Sequence, residues 1–192
     1  MARKKIIPDE TVLKAALAIM ARDGADALTF ASLGKAAGLS PATLVQRHGN
    51  RSSLMRAALL HAWDDLDART AEADALQPET PEGAIALLVS LSGDTPEIED
   101  YAGGLLLLRE DMRDPALRDR GAAWGRALAR ALGRRLSVDP ARQQVLGRLI
   151  ASQWQGAQIW WGFSREESLA AAVAADLRDW CTATLGPGAR QE

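Results

Sequence analysis

The sequence is short of the residues on which much chemistry depends. It has one cysteine, Cys181, and two histidines, His48 and His61, in 192 residues. A lone cysteine forms no internal disulfide and fits a reducing compartment, and neither histidine stands in a cluster with metal-ligand spacing, so metal catalysis is not expected. No apolar run approaches the roughly 18 residues that a membrane-spanning helix requires, so no membrane partner is expected. Behind Arg3, Lys4 and Lys5 there is no apolar stretch with a small-residue cleavage site. A secretory leader is therefore not expected, and the location reads as cytoplasmic. A nucleophile elbow is missing, and so is a phosphate-binding glycine loop, since the one near match, Gly34-Lys35, is followed by Ala36. Acidic pairs such as Asp64-Asp65 and Glu166-Glu167 read as solvated helix faces. The expectation is a protein that is not an enzyme and takes no cofactor or metal.

Charge is present in quantity but unevenly placed. Residues 1–56 carry nine Lys and Arg against four Asp and Glu, a net +5, whereas residues 57–192 carry fourteen against twenty-one, a net −7. All four lysines lie in the basic segment. Such a division fits one part facing a polyanion and an acidic body held away from it.

Helix punctuation dominates the chain and no strand pattern competes with it. Five times a capping side chain is followed by proline: Ser40-Pro41, Thr80-Pro81, Thr95-Pro96, Asp114-Pro115 and Asp139-Pro140. The side-chain oxygen accepts from a free N–H of the first turn, and proline there loses only a donor that had no partner. Ser164 with Glu167 has capping-box spacing, Asn50 precedes Arg51, and Thr29 precedes an apolar face of Phe30, Leu33 and Ala37. The fold class expected is all-α, with about nine helices. The first of them runs from Asp9 to Arg22 with a stripe of Leu13, Ala16, Leu17 and Met20.

Between Thr29 and Arg47 two short helices are joined only by Gly38-Leu39-Ser40, where glycine allows a left-handed turn and serine caps the next helix. That is helix-turn-helix punctuation. Leu44 turns inward beside Leu39, which leaves Ala42, Thr43, Gln46 and Arg47 on the outer surface. Gln pairs with adenine, Arg with guanine or phosphate, and the Thr and Ala methyl groups suit the thymine methyl.

The stretch ALTFASLGKAAGLSPATLVQRHGNRSSLMRAAL, with TVLKAALAIMARDG before it, resembles the tetracycline-repressor (TetR) family over residues 9–60. The resemblance implies an N-terminal three-helix DNA-binding domain, a long fourth helix, a ligand-binding body, and a dimer built by the last two helices. It implies base reading by Ala42, Thr43 and Gln46, phosphate contacts from Thr29, Ser40, Arg47 and Arg51, and help from Lys35. It also implies repression of transcription from a palindromic double-stranded operator, relieved by a small-molecule effector. The chain departs from the family pattern with Val45 in place of the usual tyrosine and Arg47-His48 where a phenylalanine is usual. Gly34 stands where alanine is common, at a cost of about 1 kcal/mol in helix propensity.

The division expected is a DNA-binding domain over 1–56 and a ligand-binding, dimerising body over 57–192. That body holds all six tryptophans. Aromatics at helical spacing usually fill a core, and as a group they also suit a pocket for a hydrophobic or aromatic molecule, lined by Trp63, Tyr101, Leu105, Leu108, Met112, Trp124 and Gln158. Gly103-Gly104 either bends a helix or lets a neighbour approach. Two late stripes suit a homodimer interface: Leu146, Leu149, Gln153, Gly156, Ala157 and Trp160, then Leu169, Val173, Leu177 and Trp180. The same stripes also suit packing within one chain. The competing function is a helical small-molecule carrier without specific DNA binding.

Overall fold

The computed structural model describes residues 7–93 and 98–186. The basic residues Arg3, Lys4 and Lys5, the expected helix start at Thr95-Pro96, and Pro187 and Gly188 of the tail lie outside the described residues. Among those described there are nine α-helices and no strand. They are α1 (Asp9–Asp23), α2 (Phe30–Ala37), α3 (Pro41–His48), α4 (Arg51–Leu76), α5 (Pro81–Ser92), α6 (Ile98–Arg113), α7 (Pro115–Leu136), α8 (Pro140–Ser164) and α9 (Leu169–Leu185), with a single 3-10 turn over Ala25–Ala27.

The helices start where the capping chemistry places them. Oxygens of Ser40, Thr80, Asp114 and Asp139 accept from the N–H groups of Thr43 at 3.1 Å, Gly83 at 3.1 Å, Ala116 at 2.9 Å and Ala141 at 3.0 Å. One start differs from expectation. α8 runs on to Ser164, Arg165 turns left-handed at φ 49°, and the cap of α9 is Ser168, whose hydroxyl accepts from Ala171 N–H at 3.2 Å. The reason is the buried Trp161, whose indole N–H donates to the Glu167 carbonyl at 2.8 Å while the Arg165 guanidinium lies 5.7 Å over its ring. This anchor fixes the connection after α8 and leaves Glu167 outside any capping box.

The described residues form two compact units: residues up to Asp65 with Glu99–Arg120, and Leu66–Ile98 with Gly121 onward. The functional division expected after residue 56 lies inside α4. In the first unit, Val12, Ala16, Ile19 and Met20 of α1 bury against Leu28, Leu33, Leu44, Leu54 and Leu59. Each leucine removed from water contributes about 1.5–3 kcal/mol. α6 joins this unit unbroken. A Cβ at Gly103 would lie 2.9 Å from the Ala21 carbonyl oxygen, so of the two readings of the Gly103-Gly104 pair the close approach holds at Gly103. The Trp63 indole N–H donates to Asp111 at 3.0 Å.

The second unit is held by α5, α8 and α9, with Leu87, Leu88, Leu128, Leu132, Ile150, Val173 and Leu177 buried. α7 and α8 meet backbone to backbone, because a Cβ at Gly147 would run into the Ala129 carbonyl oxygen and one at Gly133 into that of Gln143. Arg135 is 3% exposed and fully employed: it holds Asp74 at 2.6 Å and donates to the carbonyls of Pro78, Gln77 and Ala131. That network closes the C-terminal end of α4. Burial of Asp74 alone would raise its pKa, but hydrogen bonds from Arg135 and Arg134 outweigh it and hold the carboxyl below its ordinary value.

Candidate nucleic-acid interface

The candidate reading surface is built on α2 and α3, and both helices are firmly capped. Thr29 and Ser32 make a reciprocal capping box, with Ser32 N–H to Thr29 Oγ1 at 2.9 Å and Thr29 N–H to Ser32 Oγ at 2.9 Å. Gly38 ends α2 in the left-handed region at φ 67°. Ser40 caps α3, and its hydroxyl also meets Thr43 Oγ1 at 2.8 Å.

Gly34 acquires a reason here. A Cβ on it would sit 2.7 Å from the Leu39 carbonyl oxygen, and the Leu39 N–H donates to the Gly34 carbonyl at 3.1 Å. The turn folds back onto α2 at a place where no side chain fits, so close approach outweighs the lost helix propensity.

With Leu44 fully buried, α3 presents Ala42, Val45 and Gln46 outward and Thr43 half-buried. Lys35 is exposed on α2, and no ion pair occupies it among the described residues. Two arginines expected at phosphate also have partners within the chain. Arg47 donates to the Ile7 carbonyl at 2.8 Å and meets Asp9 at 3.3 Å, which ties the end of α3 to the start of α1. Arg51 donates to the Leu28 carbonyl at 2.7 Å and to the Ala25 carbonyl, and pairs with Asp26 at 3.4 Å. The carbonyls of Ala25 in the 3-10 turn and Leu28 at its exit capture the guanidinium, a tertiary partner that spacing alone does not reveal.

Of the pair Arg47-His48, His48 is the one turned inward: its side chain is 7% exposed. The buried Nε2 has no hydrogen-bond partner within 3.5 Å and lies 4.0 Å from Asp9. Two exposed residues beside the site were not assigned to it from the sequence, Val45 next to Gln46 and Ser52 in the first turn of α4. The helical period from Ala42 would have pointed to Val45.

The seven residues expected to line one pocket are divided between the two units. Trp63, Tyr101, Leu105, Leu108 and Met112 belong to the first unit, where Leu105, Leu108 and Met112 are 45%, 38% and 60% exposed, and Trp124 and Gln158 belong to the second. Burial raises the pKa of the Tyr101 hydroxyl. The second unit contains a groove of about 1130 Å³ between α7 and α8, and of the seven only Trp124 lines it. Gln158 is buried beneath, its amide 3.5 Å from the Trp154 carbonyl.

The interface stripes divide in the same way. Leu146, Ala157, Leu169, Val173 and Leu177 are buried in the core of their own unit, while Gly156, Gln153 and Trp180 are half-buried. Leu149 and Trp160 are 43% and 71% exposed, in line with Ile159 and Phe163, at 47% and 80%, which the sequence reading had not chosen. The stripe facing the core and the stripe facing outward lie a quarter turn apart on α8, and hydropathy alone does not separate them.

Known proteins place this arrangement. Residues 12–58 match the sequence model of the bacterial regulatory proteins of the tetR family. No curated protein matches the chain. A Rhodococcus sp. protein assigned to the TetR family of transcriptional regulators is 23% identical, over 89% of this chain and 95% of its own, with a TM-score of 0.65. A Saccharomonospora viridis protein, determined in complex with choline, is 18% identical over 91% of this chain and 95% of its own, TM-score 0.70. A TetR-like transcriptional regulator from Rhodococcus sp. RHA1 is 14% identical over 94% and 96%, TM-score 0.70. At such identities the solved structures speak for the fold alone. Residues 12–58 are thus similar to the tetR family of bacterial regulatory proteins, and the chain has the all-helical fold seen in TetR-like regulators.

Proposed function

We propose that this regulator acts as a homodimer on a palindromic double-stranded operator, represses transcription there, and is released by a small hydrophobic or aromatic effector. The observation that carries the reading is the capped α3, which offers Ala42 and Gln46 outward, with Thr43 half-buried, from a segment matching the tetR family. Gln46 is assigned to a base edge, the Ala42 and Thr43 methyl groups to apolar base contact, and Lys35, Thr29 and Ser40 to phosphate. Arg47 and Arg51 hold the frame while their charge adds to the basic surface. For the dimer, support comes from the exposed apolar stripe of Leu149, Ile159, Trp160 and Phe163, too large a cluster of such side chains to leave in water. Repression is the sign that the family resemblance supplies, and no catalytic role is assigned. The choline bound by the Saccharomonospora viridis protein supports small-molecule sensing on this fold. An effector that favours the released state by about 1–3 kcal/mol lowers DNA affinity roughly 5- to 150-fold.

Selection of duplexes from a random pool, followed by affinity across a salt series, tests the reading. A palindromic winner with a steep negative salt slope supports it. Gln46→Ala is then expected to alter preference at particular base pairs, and Lys35→Ala to weaken all sequences alike and reduce the salt slope by about 1. The open groove of the second unit also favours a carrier, and ligand binding without any enriched duplex would select that reading.

A further inference from the structure

The groove between α7 and α8 differs in charge from the body that contains it. The sequence from residue 57 onward is net −7, yet no aspartate or glutamate lines the groove. Four arginines do: Arg126, Arg130 and Arg134 at four-residue spacing on α7, and Arg148 on α8. Arg134 is neutralised by Asp74 at 2.9 Å and Glu79 at 3.2 Å. Arg126, Arg130 and Arg148 are exposed and have no ion-pair partner among the described residues. An α-helix brings i and i+4 onto one face, so the α7 cations stand in a row. Unpaired cations that line one groove suit an anion seated among them.

The two tryptophans that line the groove have their donors already employed. Trp124 and Trp154 pack 6.4 Å apart at 52°, and their indole N–H groups donate to Thr70 at 3.0 Å and Ser92 at 2.8 Å. No indole donor is left for a polar ligand atom, so what the rings offer the groove is surface suited to hydrocarbon. A volume of about 1130 Å³ is at the large end for a drug-sized molecule and accommodates a long chain or fused rings.

We infer that this α7–α8 groove binds an amphipathic anion, a carboxylate or similar acid with an extended apolar part, the acid held by Arg126, Arg130 and Arg148 and the apolar part lying on Trp124 and Trp154. The inference deepens the effector reading above and rests on it for its regulatory meaning, while the binding itself is independent of DNA.

The test is calorimetric titration of sodium dodecanoate, kept below its micelle concentration, into the full chain and into the variant Arg126→Gln/Arg130→Gln/Arg148→Gln. All three positions are exposed and unpaired, so the variant is expected to melt as the parent does. Dodecanoate is expected to bind the parent and to bind the variant about tenfold or more weakly. Dodecanol is expected to bind both alike, and more weakly than dodecanoate binds the parent. Equal dodecanoate affinity for parent and variant, equally tight binding of dodecyltrimethylammonium, or no dodecanoate binding to the parent would overturn the site. So would a dimer that falls to monomers in sedimentation when Ala151→Trp fills the groove, since a second copy would then be its occupant. DNA release separates the two readings. Charge-dependent dodecanoate binding that leaves affinity for the selected duplex unchanged keeps the site and removes its role as effector site, whereas a specific duplex bound with no dodecanoate site removes the site and keeps the DNA reading.

Discussion

Arg51 closes the connection between α1 and α2 from the first turn of α4, through the carbonyls of Leu28 and Ala25. Arg51→Ala leaves those half-buried carbonyls without their cationic donor, and a loss of about 1–3 kcal/mol in unfolding free energy is expected by denaturant titration. An unchanged midpoint with weakened DNA binding would return Arg51 to a purely phosphate role. Asp111 raises a different issue at the same scale. Burial lifts its carboxyl above the ordinary value, although the Trp63 indole N–H works the other way. A carboxyl whose folded-state pKa is raised contributes its stability in full below its unfolded value, and loses it as pH rises through the raised one. At neutral pH the ionised side chain is therefore a cost. Asp111→Asn keeps an oxygen for Trp63 and is expected to melt higher than the parent at pH 7, with the difference vanishing below about pH 4. A variant that melts lower at pH 7 would contradict this.

At the scale of the element, α3 is only eight residues long and depends on its first turn. Ser40→Ala removes the oxygen that receives the Thr43 N–H and is expected to cost about 1 kcal/mol. The same change frees the Thr43 hydroxyl from its 2.8 Å partner, so duplex preference as well as the melting midpoint is expected to shift. Retention of both would show that Pro41 alone starts the helix. These caps were legible in the sequence because they are local: side chain, proline and turn lie within four residues of one another. The end of α8 was not, since the Trp161 indole that extends the order to Glu167 acts through a buried contact. Gly34 was equally opaque, because its neighbour, the Leu39 carbonyl, reaches it only once the turn has closed.

For the whole molecule, the exposed apolar stripe of α8 is the feature that calls for a partner. Trp160→Glu with Phe163→Glu is expected to convert a sedimenting dimer to monomers and to abolish preference for a palindrome over a single half-site. These side chains are 71% and 80% exposed, so the folding of one chain should survive the change. A variant that stays dimeric would move the interface elsewhere. Acid is expected to loosen the second unit in particular. Asp74, held below its ordinary pKa against burial by Arg135 and Arg134, contributes stability above the unfolded value that disappears as pH falls through the folded one.

By itself the sequence determined the all-helical class, the order of the helices, the helix-turn-helix and the outward place of Ala42 and Gln46 on α3. Each of these follows from interactions that span at most a few turns, namely capping, the 3.6-residue period and the conformational freedom of Gly38. Only the tertiary structure decided which cations stay free and which apolar faces stay bare. It gave Arg47 and Arg51 backbone carbonyls as partners, buried Leu146, Ala157 and Leu177 in the chain's own core, and gathered Arg126, Arg130 and Arg148 around Trp124 and Trp154. Those outcomes depend on which helix packs against which, and two faces of equal hydropathy or two equally charged arginines differ in nothing until the packing assigns their neighbours.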